Sequence, residues 1–293
     1  MIKSVSIVIC TRNRADSLLR TLACVNAIDV PPGLRLQVVV VDNGSTDRTA
    51  AAVKNNTNNL PIDYLLHEHA GTSRARNAGI AAATGDLIMF TDDDCLVPPN
   101  WVMTTVQLFG DDLLQLIGGR VDLHDPAHLP LAIKVTTERE VLSNASNLIG
   151  FMHGANFAFG RAVVDRIGVF DIRLGAGAGL GSSEDADFVY RAMRAGIPVI
   201  YQPEMRVSHD HRRVDPVEGF KQIREYSIGA GAMMAKHLLQ GKADLVKMNY
   251  WDFRAAMRRW QADRKDWRWL YAKTGLIQGA VRYLCRASWR RAA

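Results

Sequence analysis

Short apolar runs separated by stretches with helical periodicity fill the first 120 residues. Val5 to Ile9 reads as a strand, and a helical pattern follows from about Arg14 to Val25. Leu36 to Val41, with four consecutive valines, reads as a central strand buried on both faces. Thr46 to Lys54 reads as a helix capped by Ser45. Ile62 to Leu66 is a third strand, Thr72 to Ala83 a helix closed by Gly85, and Leu87 to Phe90 a fourth strand. Strands alternating with helices predict an α/β fold with a mostly parallel, Rossmann-like sheet and right-handed crossovers. In such sheets ligands bind beyond the carboxyl ends of the strands.

Polar clusters sit at three of those ends. Thr11-Arg12-Asn13-Arg14 follows the first strand, Asp42-Asn43-Gly44-Ser45 the second, and Asp92-Asp93-Asp94 the fourth. Adjacent like charges repel, so a cation is expected to neutralise the aspartates. Hard oxygen ligands of this kind suit magnesium or manganese, which bridge to phosphate oxygens of a substrate. The competing reading is a solvated acidic turn.

At 293 residues, with 48% hydrophobic and 23% charged residues, the chain suits one large globular domain or a domain with an appendage. Cys10, Cys24, Cys95 and Cys285 form no CxxC pair, which argues against structural zinc and a disulfide framework and fits a reducing, cytoplasmic compartment. No apolar stretch is long enough to span a bilayer, and the first residues are too short an apolar run for a secretion signal.

The net charge of +6 hides an asymmetry: residues 247–293 hold 12 Lys+Arg against three acidic residues, and the rest of the chain is net negative. Five of the six tryptophans (Trp251, Trp260, Trp267, Trp269 and Trp289) share that tail. This divides the chain into a catalytic unit over 1–240 (halves about 1–120 and 121–240) and a helical, basic extension over 241–293. Trp267, Leu270, Tyr271, Thr274, Ile277, Val281 and Leu284 form an apolar helical stripe, and Arg282, Arg286 and Arg290 a basic one. The helix either docks on the catalytic unit or a second subunit, as in a homodimer, or lies on an anionic membrane. Nucleic acid is not expected as a partner, because no recognition motif accompanies the charge.

SIVICTRNR at 6–14, VVVVDNGSTDRT at 38–49, GTSRARNAGI at 71–80 and GDLIMFTDDDC at 85–95 resemble glycosyltransferase family 2, inverting enzymes with the GT-A fold. HGANFAFGR at 153–161, FDIRLGAGAGLGSSEDADFVYRAMRAG at 170–196 and VSHDH at 207–211 continue the resemblance in order. It implies transfer of a sugar from a nucleotide sugar, UDP-linked, to a hydroxyl acceptor on a lipid carrier or surface glycan. It implies that Asp42, with Asn43 and the Thr11, Arg12, Asn13 and Arg14 turn, meets the nucleobase. Arg74 and Asn77 would reach the diphosphate or sugar, Asp92 and Asp93 flank the sugar nucleotide, and Asp94 with His209 would hold Mn2+ or Mg2+. Asp185 would be the general base, supported by Glu184 and Asp187, and Gly154, Ala155 and Asn156 would line the acceptor pocket.

Each role has a plainer competitor: an Asx turn for Asp42, a solvated helix face for Arg74 and Asn77, a surface histidine for His209, and helix-start capping for Glu184 and Asp185. The glycines at alternate positions between Gly175 and Gly181 fail the GxGxxG spacing; a mobile acceptor-side lid is the expected role. The QxxRW motif of processive family members is absent, so addition of a single sugar is expected. A nucleotidyltransferase would need a glycine-rich signature that 6–14 lacks, and a catalytically inactive sugar-nucleotide-binding scaffold would not need Asp94 and Asp185.

Overall fold

The computed structural model describes residues 2–55, 60–245 and 268–292, with side chains of the last helix described from 273 to 286. In chain order the elements begin β1 (Ser4–Thr11), α1 (Ala15–Asn26), β2 (Arg35–Asp42), α2 (Thr49–Lys54), β3 (Ile62–Leu66), α3 (Thr72–Ala82) and β4 (Leu87–Asp92). They continue with β5 (Cys95–Leu96), α4 (Trp101–Phe109), β6 (Leu116–Leu123), β7 (Glu140–Val141), β8 (Asn156–Gly160) and α5 (Arg161–Ile167). α6 (Glu184–Arg194), β9 (Val199–His209), α7 (Pro216–Leu238) and α8 (Arg268–Ala292) complete them.

The strands form one sheet in the order β3-β2-β1-β4-β8-β6-β9-β5, with β7 on β9. β3, β2, β1 and β4 are parallel, as expected of a βαβ series. β8 then enters antiparallel to β4, which brings the second half of the chain against the carboxyl end of the first. Alternation along the strands separates two cores. Val8, Val39, Val41, Ile88 and Phe90 face one side; Ile7, Ile9, Val38, Val40 and Met89 face the other, against Leu18, Leu22 and Trp101. This two-sided burial is why β2 reads as an unbroken apolar run.

α2 begins at Thr49, one turn later than the pattern suggests. Asp47 accepts the Thr49 N–H, while the Ser45 hydroxyl instead accepts the Asn13 N–H at 2.8 Å. Local propensity loses here to a cross-link between two loops.

An aromatic cluster fixes α6 over the sheet. Phe170 stacks on Phe188 with centroids 4.5 Å apart, and Phe159 lies 5.0 Å from Phe188. Phe90 stacks on Phe157 at 5.1 Å. Such pairs add about 0.5–1.5 kcal/mol each beyond area burial.

α8 lies on α7 with backbones almost touching. A Cβ at Gly279 would stand 1.9 Å from the Ile228 carbonyl oxygen, and one at Gly231 2.0 Å from that of Leu276. The docking face is therefore Gly275, Gly279 and the buried Tyr283. Of the expected apolar stripe, Ile277, Val281 and Leu284 turn the other way and are 67%, 52% and 45% exposed. Trp251, Trp260 and Trp267 lie outside the described residues, as do the side chains of Trp269, Leu270, Tyr271, Trp289 and Arg290. Among the described residues no helix is long and apolar enough to cross a membrane.

Candidate active site

β1 and β4 are neighbours with Cys10 opposite Asp92, so their carboxyl ends deliver Thr11–Arg14 and the aspartate triplet to one place. Asp92 ends β4 and its side chain is 39% exposed; Asp93 and Asp94 are buried. Thr11 Oγ1 donates to Asp93 at 2.7 Å, and the Arg14 guanidinium spans Asp93 at 2.8 Å and Asp94 at 2.7 Å. Burial pushes the Asp93 carboxyl up to about 7 against the pull of Arg14. Burial also acts upward on Asp94, but the hydrogen bonds and charges of His209 and Arg14 outweigh it and hold that carboxyl below the usual range.

The β5–β9 ladder pairs Cys95 with His209, which lays the imidazole over the triplet. His209 Nε2 is 3.3 Å from Asp94 Oδ1, and its Nδ1 is buried with no hydrogen-bond partner. Ligand atoms of Asp94, Cys95 and His209 lie within 4.8 Å of one another. A carboxylate oxygen from the β4–β5 turn and an imidazole nitrogen from the end of β9 fit a divalent cation, which would take further ligands from phosphate and water. Burial pushes the Cys95 thiol well above its ordinary value, which leaves it the weakest ligand of the three.

Asp42 accepts the Ser45 N–H at 2.8 Å and the Tyr64 hydroxyl at 2.7 Å and is 1% exposed. Its two oxygens shape the loop, and Asn43, with an unpartnered buried Oδ1, faces the cavity in its place. Asn13, at φ 53°, accepts the Thr46 N–H at 2.7 Å and so staples the two loops together. Arg12 and Arg14 line the cavity; Asn13 does not.

On α3 neither Arg74 nor Asn77 reaches the cavity. The Asn77 amide is taken up by the Phe170 backbone, donating to its carbonyl and accepting its N–H, each at 2.9 Å. The residue that does reach it is Arg76, which the sequence reading missed. It is 4% exposed; Nη1 donates to Glu184 at 2.7 Å and Nη2 lies 3.6 Å from Asp92. A buried guanidinium requires such partners, and an arginine in an otherwise small-residue helix face, Ser73-x-x-Arg76, was the available signal.

α6 starts at Glu184 behind Ser183, which adopts φ 75°. Burial raises the Glu184 carboxyl to about 7 although Arg76 opposes it. Asp185 projects into the cavity, accepting the Gly154 N–H at 3.0 Å and the Ala186 N–H at 2.8 Å. Asp187, two residues along, points the other way. It is fully buried and receives Lys236 at 2.6 Å, His237 at 2.8 Å and Arg191 at 2.9 Å, an ion network that bolts α6 to α7. Gly154 and Ala155 line the cavity. Asn156 is fully buried below it, accepting the Trp101 indole N–H and donating to the Arg120 and Met205 carbonyls. Asp187 and Asn156 are therefore buried in the frame and do not line the cavity.

The glycine segment is packed between α3, α7 and α8. Gly175, Gly177, Gly179 and Gly181 all have positive φ. The Ala176 carbonyl accepts the Thr72 N–H at 3.0 Å, the Leu174 carbonyl accepts the Ser73 hydroxyl at 2.6 Å, and Arg286 of α8 donates to the Ala178 carbonyl at 3.2 Å. A Cβ at Gly181 would meet the backbone of α7 at 2.6 Å.

The result is an open cavity of about 430 Å³ that sets the triplet, Arg76 and His209 against Glu184 and Asp185. An α/β sheet with a carboxylate and histidine cluster at its parallel edge and a second carboxylate pair on a facing helix defines a GT-A glycosyltransferase class of fold and site. The chain belongs to glycosyl transferase family 2, whose family profile matches residues 6–168. It is 28% identical over 221 residues to the pre-mycofactocin glycosyltransferase of Mycobacterium tuberculosis, covering 72% of this chain and 43% of that one. It is also 28% identical over 204 residues to the succinoglycan biosynthesis protein ExoM of Rhizobium meliloti, covering 68% and 64%. The chain thus spans less than half the length of the mycobacterial relative. Its fold matches the mannosyltransferase PcManGT of Pyrobaculum calidifontis, solved with GDP-Man and Mn2+, at TM-score 0.63 and 19% identity over 97% of this chain and 87% of that one. S. aureus TarS 1–349 matches at TM-score 0.58 and 16% identity, covering 94% and 81%.

Proposed function

We propose that this glycosyltransferase moves one sugar from a nucleotide sugar, UDP-linked, to a hydroxyl acceptor with inversion, using Asp185 as the general base. The observation that carries the reading is that Asp185 faces the Asp92–Asp94 edge across one cavity, with its carboxylate aimed by the Gly154 N–H. Inversion needs the proton acceptor and the leaving group on opposite sides of the reacting carbon. Asp185 takes the proton of the acceptor hydroxyl, the hydroxyl oxygen bonds to the anomeric carbon, and the bond from that carbon to the diphosphate breaks. Asp94 and His209 would hold Mn2+ or Mg2+, and such a cation supplies charge stabilisation to a departing diphosphate. The solved complex of PcManGT with GDP-Man and Mn2+ supports a nucleotide sugar and a divalent cation.

The acceptor in this reading is lipid-linked or a surface glycan, met at the inner face of a membrane. The support is α8: residues 268–293 contain six Lys+Arg and no acidic residue, and Ile277, Val281 and Leu284 face outward on it. The test of the chemistry is a panel of UDP- and GDP-sugars with Mn2+, followed by product stereochemistry. Retention at the anomeric carbon, or turnover that survives Asp185→Asn, would overturn it.

A further inference from the structure

Four guanidinium groups line the cavity: Arg12, Arg14, Arg76 and Arg213. Arg14 is held by Asp93 and Asp94, and Arg76 by Glu184 and Asp92. Arg12 is exposed at the rim. Arg213 differs from all three. It is half-buried, and among the described residues no carboxylate pairs with it. The arginine beside it, Arg212, adopts φ 58° and turns outward to Asp210 at 3.3 Å, so the two neighbours point apart.

The backbone around Arg213 is held by hydrogen bonds. Its N–H donates to His211 Nδ1 at 3.0 Å, its carbonyl accepts the Leu129 N–H at 2.8 Å, and His211 is held from its other nitrogen by the Leu129 carbonyl at 2.9 Å. Two residues on, Asp215 caps α7 by accepting the Val217 N–H. The guanidinium is therefore presented from a fixed strap between β9, which carries His209, and α7, which carries Gln222 and Tyr226 on the same cavity wall. Arg213 lines the same cavity as Asp94 and His209.

Five carboxylates (Asp92, Asp93, Asp94, Glu184 and Asp185) share this cavity with the four guanidinium groups. An anionic ligand entering it meets a surface that does not welcome negative charge, apart from the cation site and whichever arginine is uncommitted. We propose that Arg213 is the residue that binds the diphosphate of the donor and receives the charge that develops on it as the sugar leaves. The inference rests on the nucleotide-sugar reading above. A guanidinium offers two parallel N–H donors that match phosphate oxygens, and one aimed where charge develops stabilises the transition state more than the ground state.

Titration calorimetry in the presence of Mn2+ with UDP, GDP and uridine, on wild type and on Arg213→Ala, Arg213→Gln and Arg213→Lys, tests it. Because the backbone contacts of residue 213 do not use its side chain, the variants are expected to fold, with circular dichroism as the check. A charge-assisted hydrogen bond of ordinary strength corresponds to about 10- to 100-fold in affinity. Arg213→Ala and Arg213→Gln should lose that factor for the nucleoside diphosphate that wild type binds, keep uridine binding within about twofold, and lower kcat as well. Arg213→Lys should fall between. Equal diphosphate affinity in wild type and Arg213→Ala overturns the inference alone, as does a parallel loss of uridine. Failure of wild type to bind either diphosphate overturns the nucleotide-sugar reading and the inference with it.

Discussion

Arg76 on α3 and Glu184 at the start of α6 are joined by a 2.7 Å ion pair in a site where both are buried. The pair ties the donor-side half of the sheet to the helix that carries Asp185. Removing one partner of a buried pair leaves an uncompensated charge and costs about 3–5 kcal/mol. Arg76→Ala is therefore expected to lower the thermal midpoint by several degrees and abolish transfer, where Arg74→Ala leaves both near wild type. Calorimetric melts beside a transfer assay check this; an Arg76→Ala protein that melts like wild type contradicts it.

Gly154 sits between that pair and the proposed base. A Cβ there would stand 2.3 Å from Arg76 Nη2, while the Gly154 N–H holds Asp185. Overpacking of this kind costs about 1–3 kcal/mol. Gly154→Ala should cut kcat by more than it cuts stability, because the displacement falls on the Asp185 carboxylate; matched melting and turnover measurements separate the two.

Asp185→Asn keeps the shape and an acceptor for one of the two N–H contacts, which fall on separate oxygens, but removes proton-accepting capacity. Turnover should drop about 10²–10⁴-fold with diphosphate affinity unchanged in calorimetry. If turnover survives, Glu184 becomes the base to test, since Asp187 is committed to Lys236, His237 and Arg191.

Chelation should abolish activity and Mn2+ or Mg2+ restore it. Asp94→Ala should remove the metal-dependent part of diphosphate binding, read as a loss of the affinity gain that Mn2+ gives wild type. Full activity in excess EDTA would remove the cation from the reaction.

Asp187 gives the pH dependence of stability a sign. Burial acts to raise its carboxyl, but His237, Lys236 and Arg191 outweigh that and hold it below the ordinary value of 3.8. A depressed carboxylate contributes stability that is present above the ordinary value and lost as pH falls through the folded-state one. Asp187→Asn should be less stable than wild type at pH 7 and show a shallower loss between about pH 4 and the acid limit, measured by urea unfolding across pH.

The outward face of α8 predicts membrane association. Ile277→Ser with Val281→Ser should reduce co-sedimentation with anionic vesicles while leaving transfer to a soluble acceptor intact. Vesicle binding unchanged by the pair, or a dimer in sedimentation that the pair dissociates, would assign the face to something other than lipid.

Much of this was readable from the chain because the signals are local. The unbroken apolar runs of β1, β2 and β4, buried on both faces, and the polar residues that end them are local signals, so the sheet edge, the triplet and the position of Asp185 at a helix start were legible. What the sequence could not decide was direction. Arg74, Arg76 and Asn77 lie within one turn of α3, and only its packing on Val8 and Val41 through Gly79 determines that Arg76 points inward. Asp185 and Asp187 share a helix, and the position of Lys236, nearly fifty residues away, makes one a cavity-facing group and the other a buried bolt. The apolar and glycine faces of α8 are equally good helical stripes by periodicity. Burial went to the glycines because a helix pair gains more contact when backbones approach closely, and α7 offers Gly231 to receive them. Sequence pattern determined which elements form and where they end; long-range packing decided which side chains those ends present to the cavity.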